Sequence, residues 1–171
     1  MGIINKPHDK FFKETMSNIE NSRSFMENYL PSEILNIVDF DNLTVEKDSY
    51  IDEELEEYFS DILFKTNINQ KEGYIYFLFE HKSYVSDTVS LQLLKYILKI
   101  WEQKFKKEKQ KKLPLIIPML IYHGENKWNI AKELTDMIEG VAELPKEILK
   151  YIPNYEYILY DLSAYGEEEI K

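Results

Sequence analysis

The chain has 171 residues, of which 44% are hydrophobic and 14% aromatic, with 31 acidic against 21 basic side chains for a net charge of −10. That is one domain with ample core material, which excludes a disordered chain. The absence of cysteine excludes disulfides, thiolate metal sites and cysteine nucleophiles. The acidic balance also argues against a protein that coats nucleic acid by charge alone, so nucleic-acid contact is expected through a local patch or through bound cations. The longest apolar run, Leu113 to Tyr122, contains Pro114 and Pro118 and falls well short of the ~20 residues of a membrane-spanning helix. Met1 to Lys13 lacks the apolar centre of a signal peptide. A cytoplasmic protein without membrane contact is expected.

In chain order, Pro7-His8-Asp9 opens a helix with Asp9 as N-cap, apolar positions from Phe11 to Tyr29, and a stop at Pro31. A short turn covers Ser32 to Val38, and Asp41 to Lys65 is acidic and then extended, with a strand expected at Asp61 to Thr66. Asn67 to Gly73 has loop composition. Tyr74 to Phe79 is a continuous apolar run that reads as a strand buried on both faces; the two strands form a hairpin. Ser86 or Asp87 caps an amphipathic helix of about 20 residues. Leu115 to Tyr122 is a third strand, Trp128 to Ile138 and Pro145 to Tyr151 are helical, and Tyr155 to Tyr160 is a fourth strand. Gly166 to Lys171 reads as the first turn of a further helix, cut short. This order predicts a three-layer α/β or α+β domain with a mixed sheet.

Chemistry is expected where polar residues end buried strands. Glu80 and Lys82 alternate onto one face of their strand, and antiparallel pairing brings Asp61 near Glu80. Two close carboxylates repel unless a cation lies between them, and oxygen ligands of this kind suit Mg²⁺ or Mn²⁺. The backbone carbonyl of His81 would add a ligand. Such an ion lowers the pKa of bound water and neutralises a phosphodiester oxygen, while Lys82 orients the attacking water or stabilises the transition state. Removing Asp61 or Glu80 is expected to leave the fold intact, because it relieves repulsion.

An Asp at a strand start followed some twenty residues later by Glu-x-Lys resembles the PD-(D/E)xK nuclease core, here Asp61, Glu80 and Lys82. In RecB-like members a helix follows with Gln-x-x-x-Tyr, and Gln92-Leu-Leu-Lys-Tyr96 stands in that place. Pro7-His8-Asp9 with Phe12-Lys13, Tyr58-Phe-Ser-Asp61, Phe79-Glu-His-Lys-Ser83, Trp101, Leu113 to Gly124 and Trp128 together resemble the Rpn family of recombination-promoting nucleases, also described as transposases, from about residue 6 to 165. The resemblance implies a restriction-endonuclease-like fold over residues 1–171 and a Mg²⁺-dependent (or Mn²⁺-dependent) DNA endonuclease. Asp61, Glu80 and the His81 carbonyl would bind metal, Lys82 would act on water or phosphate, and Gln92 and Tyr96 would support the site or contact the substrate backbone. No organic cofactor is implied. The resemblance implies a helical C-terminal region in family members beyond this point, and this stretch is expected not to contain it. Ser60 stands where the motif name has Pro, and Lys82 keeps the superfamily's parent residue where many relatives have Gln.

Blander roles compete. His123 caps a strand end or acts as base or ligand; His8 caps a helix; the His81 side chain is structural; Glu14 is a candidate extra acidic group. Lys104 to Lys112, with six lysines in nine positions, is either a solvated helix end or a phosphate grip. Asp48 to Glu57 reads as a solvated acidic face. Double-strand cutting with one site per chain requires two chains, so a homodimer is expected. The alternative is a non-catalytic interaction or oligomerisation module retaining the nuclease fold, compatible with the 13 tyrosines.

Overall fold

The computed structural model describes residues 13–80, 87–109, 111–124 and 126–162. His8, Asp9, His81, Lys82, Ser86 and the segment from Gly166 lie outside the described residues.

The first expected helix is divided. Residues 13–17 are helical, and after Asn18 the chain resumes as α1 (Ile19–Tyr29). The Asn18 side chain accepts a hydrogen bond from the Asn21 N–H at 3.2 Å, so Asn caps a new start instead of continuing the helix. A single turn, α2 (Ser32–Leu35), leads into β1 (Val38–Glu46). That strand was not legible in the sequence, because Asp39, Asp41 and Asn42 break the alternation around a register shift between Asp39 and Thr44. Charge and irregularity suit an edge strand.

β2 (Phe59–Ile68) and β3 (Lys71–Glu80) are longer than expected and are joined by two residues instead of seven. Asn69 and Gln70 both have positive φ, 52° and 69°, as a tight hairpin turn matching strand twist requires. Gly73 therefore lies within the pairing, opposite Thr66, and a Cβ there would meet Ile68 Cδ1 at 2.7 Å. α3 (Val89–Glu108) starts after Thr88, one residue past Asp87, and leads to β4 (Leu115–Tyr122). The expected helix at Trp128 to Ile138 is instead irregular chain with one 3-10 turn at Leu134–Met137. Its backbone is engaged elsewhere: the Leu134 N–H donates to Tyr155 and the Tyr157 N–H to Lys132. α4 (Lys146–Leu149) is one turn, and β5 (Ile158–Asp161) starts three residues later than expected.

The sheet runs β1-β2-β3-β4-β5. β1/β2 and β2/β3 are antiparallel, and β3/β4 and β4/β5 are parallel. This is the expected mixed sheet, with α3 as the crossover that a parallel pair needs. Alternation along β2 and β3 sends Phe64, Ile75, Phe77 and Phe79 into a core with Met26 of α1, and Leu63, Tyr74, Tyr76 and Leu78 into a core with Leu93, Tyr96 and Ile100 of α3. The two long helices thus cover opposite faces. The arrangement is consistent with a restriction-endonuclease-like fold.

Candidate active site

Both acidic residues of the expected site lie under α3. In the β2/β3 register Asp61 pairs with Leu78 and Phe59 with Glu80. The two carboxylates are therefore diagonal neighbours on one face, a relation that places Cα atoms roughly 7–8 Å apart. Asp61 is 3% exposed and Glu80 is fully buried. Glu80 closes β3, its backbone carbonyl accepts from the His123 N–H at 3.1 Å, and its charge reaches Tyr157.

The direction of Asp61 was not foreseen. Its Oδ1 accepts from Ser49 Oγ at 2.5 Å, and its Oδ2 accepts from the Tyr50 N–H at 2.8 Å and the Tyr76 hydroxyl at 2.7 Å. On β3, Tyr76 and Glu80 lie two residues to either side of Leu78, the register partner of Asp61, and it is Tyr76 that bonds the Asp61 carboxylate. Three uncharged donors satisfy its acceptor positions. The expectation that removing Asp61 would relieve repulsion is therefore corrected for this residue: the carboxylate is an acceptor that buried groups require. Burial first, and then the negative charge of Asp61, hold the Tyr76 phenol well above its ordinary pKa.

Gln92 and Tyr96 share the inner side of α3. Gln92 Nε2 donates to the Tyr96 hydroxyl at 3.1 Å, and that hydroxyl donates to Asp52 Oδ2 at 3.4 Å. The Tyr96 ring meets Tyr76 edge-on at 6.4 Å, so Tyr76 links the helix pair to Asp61. Burial raises the Tyr96 pKa to about 12.

Asp52 emerges from the structure and not from the sequence. The segment from Glu46 to Asp52 runs back along α3 as an acidic strap. Glu46 takes Lys104 at 2.6 Å, Asp48 accepts from Gln103 at 3.1 Å, the Tyr50 hydroxyl bonds Gln103, and Asp52 binds Lys99 at 3.1 Å and Lys95 at 3.0 Å. Burial would raise the Asp52 pKa, but the two lysines outweigh it and hold the carboxyl below its usual value. The reading of Asp48 to Glu57 as a solvated acidic face holds for Asp48, Glu53, Glu54, Glu56 and Glu57, which are exposed, and is corrected for Asp52, which is engaged by the two lysines. Lys104 likewise leaves the solvated run, being buried with its ammonium 5.1 Å over the Tyr74 ring. Lys95 and Lys99, one helical turn apart, are the one sequence signal that asked for an anionic partner.

Other candidates sit elsewhere. His123 stacks on Phe79 with ring centroids 6.5 Å apart, on the sheet face away from the two carboxylates. Glu14 is exposed on the helical turn that carries Met16 into the α1-side core, which corrects its reading as an added site acid. Among the described residues, no group of three or more His, Asp or Glu side chains could hold a metal. A hollow of about 480 Å³, lined by Ile37, Asp39, Asn67 and Asn69 among others, lies at the hairpin end of β2, remote from Asp61.

The sheet and its paired helices define a mixed α/β domain of the restriction-endonuclease-like kind. The chain belongs to the YhgA-like transposase family: the family model described as "Putative transposase, YhgA-like" matches residues 6–171. It is 36% identical to the recombination-promoting nuclease RpnD of Escherichia coli O157:H7 over 69% of this chain and 45% of that protein. It is 34% identical to the recombination-promoting nuclease RpnA of Escherichia coli K12 over 69% and 40%. A third relative, 33% identical over 70% and 40%, is named the inactive recombination-promoting nuclease-like protein RpnE of the same strain. The chain spans less than half the length of these three relatives. No solved structure matches. Among the described residues, no helix is long and apolar enough to cross a membrane.

Proposed function

We propose that this chain is the catalytic domain, a single unit over residues 1–171, of a recombination-associated, metal-dependent DNA endonuclease. The observation that carries the reading is the pair of buried carboxylates, Asp61 and Glu80, on one face of adjacent strands beneath the helix bearing Gln92 and Tyr96.

The chemistry of two buried carboxylates suits a hard divalent cation, for which the His81 carbonyl would supply a third oxygen. Asp61 Oδ1 carries one hydrogen bond, from exposed Ser49, and so keeps acceptor capacity. A Mg²⁺ or Mn²⁺ ion held there would lower the pKa of a bound water and neutralise charge on the scissile phosphodiester. The protein's own groups supply the rest. Tyr76 and the Tyr50 N–H fix the Asp61 carboxylate, Lys82 would orient the attacking water or stabilise the charged transition state, and the buried Gln92 and Tyr96 support the site from within the core. Lys95 and Lys99 offset part of the acidic charge beside it.

The test is plasmid nicking with Mg²⁺ and Mn²⁺ by the native chain, Asp61→Asn and Glu80→Gln. Metal-dependent nicking lost in both variants is the expected result; nicking that persists in both refutes the site. A second reading, a non-catalytic module on the nuclease fold, is favoured by the three internal donors on Asp61 and by the relative named inactive. Mn²⁺ separates the two readings. An intact site is stabilised by about 2.7 kcal/mol at a hundredfold excess over its Kd, whereas a decayed site shows no shift in Tm.

A further inference from the structure

α3 is apolar on two sides. Its inner side carries Leu93, Tyr96 and Ile100 into the core. Its outer side presents Leu91, Leu98 and Phe105, which are 54%, 48% and 45% exposed. Half-buried Leu94 and Trp101 fall between them, and the indole N–H of Trp101 is anchored on the Pro114 carbonyl at 2.8 Å. The five positions are spaced three, four, three and four residues apart, the seam spacing of packed helix pairs. A surface helix ordinarily turns polar residues outward, and a continuous apolar line there marks an interaction surface.

We propose that this seam is the interface of a homodimer in which the α3 helices of two copies pack antiparallel about a two-fold axis near Leu98. Symmetry and charge name the occupant. The exposed stripe is palindromic about Leu98, so Leu91 of one copy faces Phe105 of the second and Leu98 faces its own equivalent, as a self-complementary two-fold contact demands. The same register sets Lys95 beside Glu102 of the second copy, twice over. Glu102 is exposed and the Lys95 side chain is 55% exposed. The Lys95 ammonium keeps donors free beyond its bond to Asp52. Leu91, Leu98 and Phe105, about half exposed, and the less exposed Leu94 and Trp101 together offer at most roughly 100 Å² apiece, about half of what a buried aromatic covers. That falls below the ~800 Å² per partner of a standard interface, so a small, weak dimer is expected.

The test is sedimentation velocity of the 171-residue chain from about 1 to 200 μM, with the fluorescence of a Trp128→Phe variant, in which Trp101 is the sole indole, followed over the same dilution. The expected result is a rise from monomer to twice the monomer mass, with the indole emission shifting to the blue as it is buried. Leu98→Asp should remain monomeric throughout with an unchanged far-UV circular dichroism spectrum. Glu102→Lys should weaken association about tenfold, and Lys95→Glu with Glu102→Lys should restore it. A native chain that stays monomeric at 200 μM overturns the proposal and assigns the seam to another segment or partner. A dimer that survives Leu98→Asp overturns it by placing the interface elsewhere.

Discussion

Replacing Asp61 by alanine separates two roles for one carboxylate. The variant removes the acceptor for three donors. Ser49 is exposed and its hydroxyl turns to water, so its loss is nearly neutral. The Tyr50 N–H and the Tyr76 hydroxyl are buried and cannot. Each buried donor left without a partner costs about 1–3 kcal/mol, toward the upper end where the lost partner was charged, so Asp61→Ala should cost roughly 3–5 kcal/mol. Against a total stability of about 5–15 kcal/mol that is a large share, and in a domain of this size it lowers Tm by roughly 6–20 °C. Asp61→Asn keeps an oxygen toward Tyr50 and Tyr76 and turns its amide toward Ser49, whose hydroxyl can accept instead; it should cost about 1 kcal/mol. Urea unfolding followed by circular dichroism measures both. If Asp61→Ala lies within about 0.5 kcal/mol of the native chain, the donors are not held as described and the reasoning fails. If both variants lose the same large amount, charge and not hydrogen bonding dominates.

Further expectations concern the strap, the tyrosines and the end of β4. Asp52→Ala breaks ion pairs to two part-exposed lysines, each worth about 0.2–1 kcal/mol, and should lower Tm by about 2–5 °C. Because the folded state holds the Asp52 carboxyl below its usual pKa, its contribution is complete above about pH 4, the unfolded range, and is lost as pH falls through the lower folded value. The Tm gap between the native chain and Asp52→Asn should close on acidification, and a gap that widens instead contradicts the ion pairs. Burial first, with neighbouring groups adding to or opposing it, raises Tyr50, Tyr96 and Tyr157 to about 12. The unfolded phenols release protons near pH 10, so this stabilisation is full below that pH and fades as pH rises toward 12. A phenolate absorbance titration should show a class ionising late or only on unfolding. At Gly124 a Cβ would lie 2.0 Å from the Tyr122 hydroxyl oxygen and 2.2 Å from its ring, with that ring packed edge-on to Trp128 at 4.8 Å. Gly124→Ala should therefore cost about 1–3 kcal/mol in urea unfolding, and a neutral result would show that the ring moves freely.

Much of this protein is written locally. Tyr74 to Phe79 and Leu115 to Tyr122 are strands because unbroken β-branched and aromatic runs have no other way to bury both faces, and α3 follows from its apolar period. Those runs were determined by sequence alone, as was the mixed three-layer class, whereas the shared face of Asp61 and Glu80 follows from the register that the two-residue turn at Asn69 and Gln70 sets. Where a segment's partners lie far away, the sequence was silent. β1 exists because β2 offers it an edge, despite its acidic composition. Trp128 to Ile138 gives up its helix because its N–H and C=O groups pair with the chain near Tyr155 and Tyr157. The strap is laced to α3 by contacts 43 to 58 residues apart in sequence, so the pairing of Asp52 with Lys95 and Lys99 follows from the sheet having brought them together. The direction of the Asp61 carboxylate is the sharpest case. Register fixes its face, but the Tyr50 N–H and Tyr76 hydroxyl, buried donors that must be satisfied, fix where it points, and only the folded chain brings all three together.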